Sequence, residues 1–307
     1  MSIDHAPARP AIDDLPGWCP SAREASARVV ANERIAEQTY VLRLDCPEVA
    51  AALTPGRFVM LRDPRTGGPL LGRPFAMFET WAGDRPAGYG TPDAFDIGYV
   101  TVGKLTGLMT AWKPGDRVDL WGPLGNGFPA FDGRDLVMVA GGIGQTPFLA
   151  TARELAGQAR YGRDGRPAVP PRMSLLYGVR TAGHLAGVDR FAAVDGLELR
   201  LATDDGSAGH HGYVTDILAA EFESGRRPDA VYCCGPGPMM GAVAALCRTV
   251  DITCYASLES PMACGFGACF SCVVPVKEPD GGTDYKRACV EGPVFRASEL
   301  AETAFQH

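Results

Sequence analysis

The feature that most constrains this chain is a crowded run of thiols close to its end. Cys264-Gly265-Phe266-Gly267-Ala268-Cys269-Phe270-Ser271-Cys272 is followed by a lone Cys289, a C-x4-C-x2-C-x16-C spacing. Four thiolates so spaced suit a [2Fe–2S] cluster. Each iron is tetrahedral in sulfur, bridging sulfides supply half of the positions, and cysteines complete the set. A tight loop presents three of them and the fourth arrives from elsewhere. Gly265 and Gly267 let that loop turn sharply and bring backbone N–H groups towards the sulfides. Two other readings compete. A structural zinc site would more commonly show two short cysteine knuckles. A set of buried or disulfide-linked thiols would rarely crowd three members into nine residues.

At 307 residues the chain has room for two domains and a small third. Hydrophobic residues make up 46% and charged ones 21%, the balance of a globular protein with a sizeable core. The net charge of −7 argues against nucleic acid as a partner, because phosphate binding wants a basic face. No run of about 18 apolar residues is present, so no transmembrane helix and no membrane partner are expected. The start, Met1-Ser2-Ile3-Asp4-His5, lacks the basic-then-apolar layout of a signal peptide, and the expected location is cytoplasmic. In that reducing compartment the ten cysteines favour metal ligation over disulfides. Cys19, Cys46, Cys233, Cys234, Cys247 and Cys254 lie outside the run and read as buried or inert.

The expected architecture is multi-domain. Residues 1–24 read as a loose extension. From 25 to 132 short alternating strands, at Ala27–Cys46, Arg57–Arg62, Phe75–Trp81, Ala94–Val102 and Arg117–Trp121, are punctuated by Gly and Pro, with one helix near Thr106–Trp112. That rhythm predicts a small antiparallel β-barrel. Residues 133–252 alternate strand and helix, which predicts an α/β doubly wound domain with a parallel sheet. Within it Gly157–Pro171 reads as a surface loop. Residues 253–307 form the small C-terminal [2Fe–2S] module.

Two turns stand out in the α/β half. Gly141-Gly142-Ile143-Gly144-Gln145-Thr146-Pro147 joins a strand end to a helix start, and Cys234-Gly235-Pro236-Gly237-Pro238-Met239 does the same. Bare glycines admit a phosphate to the backbone, and a helix N-terminus offers free N–H groups. Two such turns at one sheet edge would frame a dinucleotide crevice; singly, each is an ordinary tight connection. In the barrel half, Arg73-Pro74-Phe75-Ala76 enters a strand. Arg73 suits a flavin pyrophosphate, and the strand backbone suits the isoalloxazine edge.

Together these segments resemble the ferredoxin–NAD(P)H reductase superfamily and, more closely, the electron-transfer subunit of class 1B dihydroorotate dehydrogenase. The resemblance is carried by Arg73–Ala76, Gly122-Pro123-Leu124-Gly125-Asn126-Gly127-Phe128, Gly141–Pro147, Thr203–Ser207, Gly212–Asp216 and Cys234–Met239. Its most specific part is the tail: Ser257-Leu258-Glu259, Met262–Val274, Tyr285–Cys289 and Gly292–Phe295. It implies FAD on the barrel, held by Arg73, Pro74, Phe75 and Ala76, by Gly98, Tyr99 and Val100, and by the turn at Leu105 and Thr106. It implies NAD across Gly141, Gly142 and Gly144 and Cys234, Gly235 and Pro236, and a cluster on Cys264, Cys269, Cys272 and Cys289. The implied partner is an FMN-containing dihydroorotate dehydrogenase catalytic subunit, in a heterotetramer serving pyrimidine biosynthesis. No side chain is assigned as catalytic acid, base or nucleophile, because the redox chemistry belongs to the cofactors. The chain departs from the pattern at Ala76 (commonly Ser), Leu105 (often Gly), Gln145-Thr146-Pro147 and the N-terminal extension.

Other residues are weighed beside these. Asp204-Asp205 would bond ribose hydroxyls and favour NAD over NADP, or form a solvated turn; Arg180 would favour a phosphate. The pair His210-His211 reads as surface and Cys234 as packing. Two rival functions remain open: a reductase of the same superfamily serving a hydrogenase, sulfide-reducing or ferredoxin-linked complex, and a non-catalytic regulator with a metal-binding cysteine module.

Overall fold

Strands of alternating burial build the first half of the computed structural model, which describes residues 22–65, 69–163 and 169–306. They are β1 (Arg23–Ala36), β2 (Thr39–Asp45), β3 (Phe58–Arg62), β4 (Arg73–Ala82), β5 (Arg85–Pro86), β6 (Ala94–Val100) and β7 (Arg117–Leu124). The order is β3-β7-β1-β2-β6-β4, and β3 pairs back onto β4, so six antiparallel strands close on themselves with β5 as an appendage to β4. Closure leaves the six with no free edge. Inward residues such as Leu42, Leu44, Val59, Leu61, Phe95, Ile97, Val118 and Leu120 are almost wholly buried and fill the barrel. Short helices α1 (Pro47–Ala50) and α2 (Lys104–Met109) bridge strands, and α2 begins two residues before the expected Thr106. The expected N-terminal extension lies, up to residue 21, outside the described residues; Arg23 and Glu24 already pair with Gly122 and Trp121 in β1.

The second half changes rhythm because its strands are buried on both faces. In β8 (Asp135–Gly141) every residue after the first is buried, the mark of a parallel strand covered by helices on both sides. With β9 (Arg172–Val179), β10 (Leu197–Thr203), β11 (His210–His211), β12 (Ala230–Cys234), β13 (Thr253–Ser257) and β16 (Val294–Arg296), it forms a sheet of order β11-β10-β9-β8-β12-β13-β16. Helices α3 (Thr146–Leu155), α4 (Val188–Ala192), α5 (Val214–Glu223) and α6 (Gly237–Thr249) lie between the strands. The chain winds outward from β8 in both directions, so a switch point opens between the C-terminal ends of β8 and β12.

The expected boundary at residue 253 does not mark the end of this sheet. β13 pairs parallel with β12, and β16 (Val294–Arg296) returns antiparallel to β13, so the sheet brackets the cysteine module on both sides. Between them lie the cluster loop and a hairpin of β14 (Val273–Lys277) and β15 (Thr283–Arg287). One continuous apolar cluster joins Phe58, Met60 and Leu124 of the barrel to Val139 and Ala256 of the sheet and Cys272, Val274 and Cys289 of the module.

Barrel and sheet are also tied by buried charge. Asp96 on β6, fully buried, receives Arg43 at 2.9 Å from the neighbouring strand and Arg190 of α4 at 3.1 Å. Glu79 on β4 receives Arg153 of α3 at 2.7 Å and the Tyr161 hydroxyl at 2.9 Å. The stretch Gly157–Pro171, expected as a surface loop, is therefore anchored where it is described. Ala159 and Tyr161 are buried, and Arg163 pairs with Glu154. Residues 164–168 lie outside the described residues.

Candidate functional site

Both glycine turns meet at the switch point, and their glycines are required by how closely they meet. A Cβ on Gly144 would lie 2.3 Å from the Cys234 carbonyl oxygen and 2.7 Å from Gly235 N. One on Gly141 would lie 2.7 Å from Pro236 Cδ and from Met239 Sδ. Gly142, at φ +55, faces open space instead, which leaves its backbone free to be approached. These segments precede α3 and α6, so both helix N-termini lie at the switch point, where the helix dipole favours an anion. Cys234 is buried beneath, and burial pushes its thiol up to about 12, with the Glu259 carboxylate adding and a Ser257 hydrogen bond opposing. A thiol so held is neutral and packs rather than attacks.

Across the crevice stands the barrel. Gly98 on β6 faces the turn: a Cβ there would lie 3.1 Å from Thr146 Oγ1 and 3.2 Å from Ile143 Cδ1. Tyr99, next in the strand, points into the barrel, with its ring stacked 5.2 Å from that of Tyr40 and its hydroxyl bonded to Asn32 Oδ1 at 3.0 Å. Val100 is half-buried at the strand end. On β4, Arg73 is exposed and its guanidinium bonds the carbonyls of Leu71 and Gly72, both at 3.0 Å, while Phe75 is buried and Pro74 and Ala76 half-buried. Leu105 packs in the barrel core, and the Thr106 hydroxyl takes the N–H groups of Val102 and Gly103, both at 3.0 Å. What Leu105 offers a ligand is therefore backbone.

The other sequence candidates stay on the surface. Asp205 is turned onto Ser207, 2.6 Å from its hydroxyl, and that bond holds its carboxyl below the usual range. Arg180 is exposed. His210 and His211 are exposed too, with His210 Nε2 3.6 Å from Asp216.

The cysteine loop leans on the barrel. Gly265, at φ +78, has Met60 Cγ 2.5 Å from where a Cβ would stand, and Trp121 Nε1 donates to the Cys264 carbonyl at 2.7 Å. Met60 is the register partner of Pro74, so one strand, β3, separates the loop from the Arg73–Ala76 segment. Neighbouring strands lie about 4.8 Å apart. Cys264 is half-buried, Cys269 exposed, and Cys272 and Cys289 buried. Two pairs form. The Ser271 hydroxyl, 3.1 Å away, and then Cys264 draw the Cys269 thiol down to about 6; Cys289 draws Cys272 down to about 6, while its own thiol is pushed up. Among the described residues no three His, Cys, Asp or Glu side chains surround one metal-ion position. Four free thiols presented by one tight loop and the segment after β15 fit the donor set of a diiron cluster, which needs four thiolates.

Several residues that build this site carried no role in the sequence reading. Met60, Trp121 and Asn126 hold the module to the barrel, and Ser271 and Arg287 shape its loop: Ser271 Oγ receives Ala263 N–H at 3.1 Å, and Arg287 bonds the Gly267 carbonyl at 3.2 Å. Asn126 lies in the Gly125-Asn126-Gly127 segment, and a short Gly-Asn-Gly after a strand was the available signal.

Comparison with known proteins agrees with this geometry. Residues 259–301 match the iron–sulfur cluster binding domain of dihydroorotate dehydrogenase B, and residues 138–245 match the oxidoreductase NAD-binding domain. The cysteine module is thus an iron–sulfur module rather than a zinc one. Among solved structures, one of an NADH-dependent reduced ferredoxin-NADP oxidoreductase superposes with a TM-score of 0.76 at 28% identity, covering 92% of both chains. A ferredoxin NADP+ reductase from Neisseria gonorrhoeae, with bound FAD and NADP, shares the fold at a TM-score of 0.57 and 17% identity, covering 81% of this chain and 95% of that one. The "Dihydroorotate dehydrogenase B (NAD(+)), electron transfer subunit" of Geobacillus thermodenitrificans is 38% identical over 89% of this chain and 96% of its own length. The protein of the same name from Desulforamulus reducens is 34% identical over 88% and 95%. With such identity along nearly the whole length of these relatives, the chain belongs to the family of electron transfer subunits of NAD-linked dihydroorotate dehydrogenase B.

Proposed function

We propose that this chain carries electrons from an FMN-containing catalytic subunit, which oxidises dihydroorotate to orotate, through a [2Fe–2S] cluster and FAD to NAD+, within a heterotetramer. The observation that supports it most is the single strand between the cysteine loop and the Arg73–Ala76 segment, with the dinucleotide crevice opening beside Gly98. Nicotinamide exchanges two electrons as hydride and an iron–sulfur cluster takes one at a time; flavin, which does both, supplies the conversion when bound between them. The chain's own residues do the rest. Arg73 meets the pyrophosphate, the β4 backbone at Phe75–Ala76 and the β6 backbone at Gly98–Val100 orient the ring, and the backbone at Leu105–Thr106 completes the cradle. Gly141, Gly142 and Gly144 with Cys234–Pro236 admit NAD. Cys264, Cys269, Cys272 and Cys289 would together hold the cluster. In this reading residues 25–132 carry FAD, 133–252 carry NAD, and the segment from 253 carries the cluster.

The test is an assay of the isolated chain, loaded with FAD and iron. NADH-dependent dye reduction is expected and dihydroorotate-dependent dye reduction is not; turnover of dihydroorotate without a partner would refute the division of labour. A second reading, a reductase serving a ferredoxin-linked complex, draws on the likeness at 28% identity to the NADH-dependent reduced ferredoxin-NADP oxidoreductase. Copurification decides between them: an FMN-containing subunit supports the first reading and a ferredoxin-linked assembly the second. Among the described residues no helix is long and apolar enough to cross a membrane.

A further inference from the structure

Asn126 stands where β7 leaves the barrel, and every group it bonds belongs to the strap that follows Cys289. Its backbone N–H donates to the Gly292 carbonyl at 2.8 Å. Its side-chain Nδ2 donates to the carbonyls of Glu291 at 2.9 Å and Val294 at 2.8 Å, and Oδ1 accepts from Val294 N–H at 3.1 Å. Both amide hydrogens and the amide oxygen thus meet backbone groups of the opposite kind, a match that needs a carboxamide.

The same strap is held from its other side. Arg287 grips the Glu291 carboxylate at 2.6 Å, and Leu258 N–H donates to the Pro293 carbonyl at 2.9 Å. Gly125 is pressed so closely that a Cβ would lie 2.5 Å from Pro293 Cδ. On the barrel side Arg57 Nε donates to the Gly125 carbonyl at 3.0 Å, Arg57 Nη2 to that of Pro123 at 3.1 Å, and the Arg57 carbonyl accepts Met77 N–H at 3.1 Å. Met77 follows Ala76. Hydrogen bonds at Arg57 and at Asn126, joined through the backbone of Gly125, therefore connect the end of the flavin segment to the strap beside Cys289. Asn126 is exposed, where water would satisfy its amide as well, so stability alone gives little reason for this match.

We propose that Asn126 is a positioning residue for electron transfer within the chain: it fixes the Cys289 strap against the barrel exit and so sets the relation of flavin to cluster. This rests on the relay proposed above. The step served moves one electron from reduced flavin to the oxidised cluster, with the flavin's proton released to solvent. Of the two electrons that a hydride from NADH brings, the first fills the cluster. The second follows once an added one-electron dye has reoxidised it.

The experiment uses the full chain loaded with FAD and iron, as wild type, Asn126→Ala and Asn126→Asp. Each is mixed anaerobically with NADH, and flavin bleaching is followed by stopped-flow absorbance and cluster reduction by freeze-quench EPR. Flavin reduction should keep its wild-type rate, while electron arrival at the cluster slows about tenfold, as expected when release of the strap lets the donor–acceptor distance grow by about 1–2 Å, because electron tunnelling falls off exponentially with distance. The Asp variant is the sharper one. Its shape is that of Asn, yet it turns an oxygen towards two carbonyl oxygens, so it should be at least as slow as Ala. Independently of turnover, the Val294 amide should exchange faster in both. If Ala fails to load iron, Asn126→Ser carries the same comparison. Unchanged cluster reduction in the loaded variants, against a wild type that transfers, overturns the role of Asn126 alone, as does equal slowing of both steps. A wild-type cluster that stays oxidised after NADH overturns the relay and this role with it.

Discussion

Replacing Gly144 by Ala tests the dinucleotide crevice with one methyl group. The new Cβ would lie 2.3 Å from the Cys234 carbonyl oxygen, 2.5 Å from its carbon and 2.7 Å from Gly235 N, all of them backbone atoms that no rotamer change can move. Real Cβ contacts stay above 3.0 Å, so the two turns must part by about 0.7 Å. Overpacking of this kind costs about 1–3 kcal/mol. If the closed arrangement of the turns is what NAD binds, that energy appears as weaker NADH binding, by about 5- to 150-fold. The assay is NADH affinity by titration together with KM in dye reduction, with flavin and iron content as controls. FAD and iron should load normally, since the methyl points at neither the barrel nor the cysteine loop. Unchanged NADH affinity, or loss of flavin with affinity retained, would refute the placement of NAD across these turns.

Three further outcomes follow from the same structure. Cys289→Ser should cost the chain its cluster EPR signal yet leave NADH-dependent dye reduction by the flavin, checked by EPR and dye assay side by side. Asp96→Asn removes one charge from a fully buried group held by two arginines and should destabilise the chain by about 3–5 kcal/mol, read from thermal unfolding of the loaded protein. The Cys234 thiol is raised from 9.0 to about 12, so its contribution to stability is present below about 9 and lost as pH rises towards 12. Cys234→Ala should accordingly leave the pH profile of NADH oxidation unaltered between about pH 6 and 9.

What could be read from the sequence was whatever is written in neighbouring residues. The spacing of Cys264, Cys269 and Cys272 is local, and so is the unbroken apolar run of β8 into its glycines; the first led to the iron–sulfur module and the second to the turn that joins β8 to α3. Tyr161 and Arg163 misled because their stretch is rich in Gly, Pro and Arg, while the group that buries Tyr161, Glu79, lies 82 residues away. β13 reads Thr-Cys-Tyr-Ala-Ser, with no period to announce a strand, and its place in the sheet depends on β12 and β16. Asn126 bonds residues 165 and 168 positions on, beyond any pattern in the chain. At the turn of Leu105 and Thr106, expected to hold FAD, the barrel core claims the Leu105 side chain, which no local pattern announced.

In the proposed relay flavin is the obligatory step between nicotinamide and cluster. The most direct measurement is EPR of the iron-loaded chain stripped of flavin, treated anaerobically with NADH and, separately, with dithionite. Dithionite should give the signal of a reduced [2Fe–2S] cluster, NADH should give none, and restoring FAD should restore the response to NADH. A cluster that NADH reduces without flavin would contradict it.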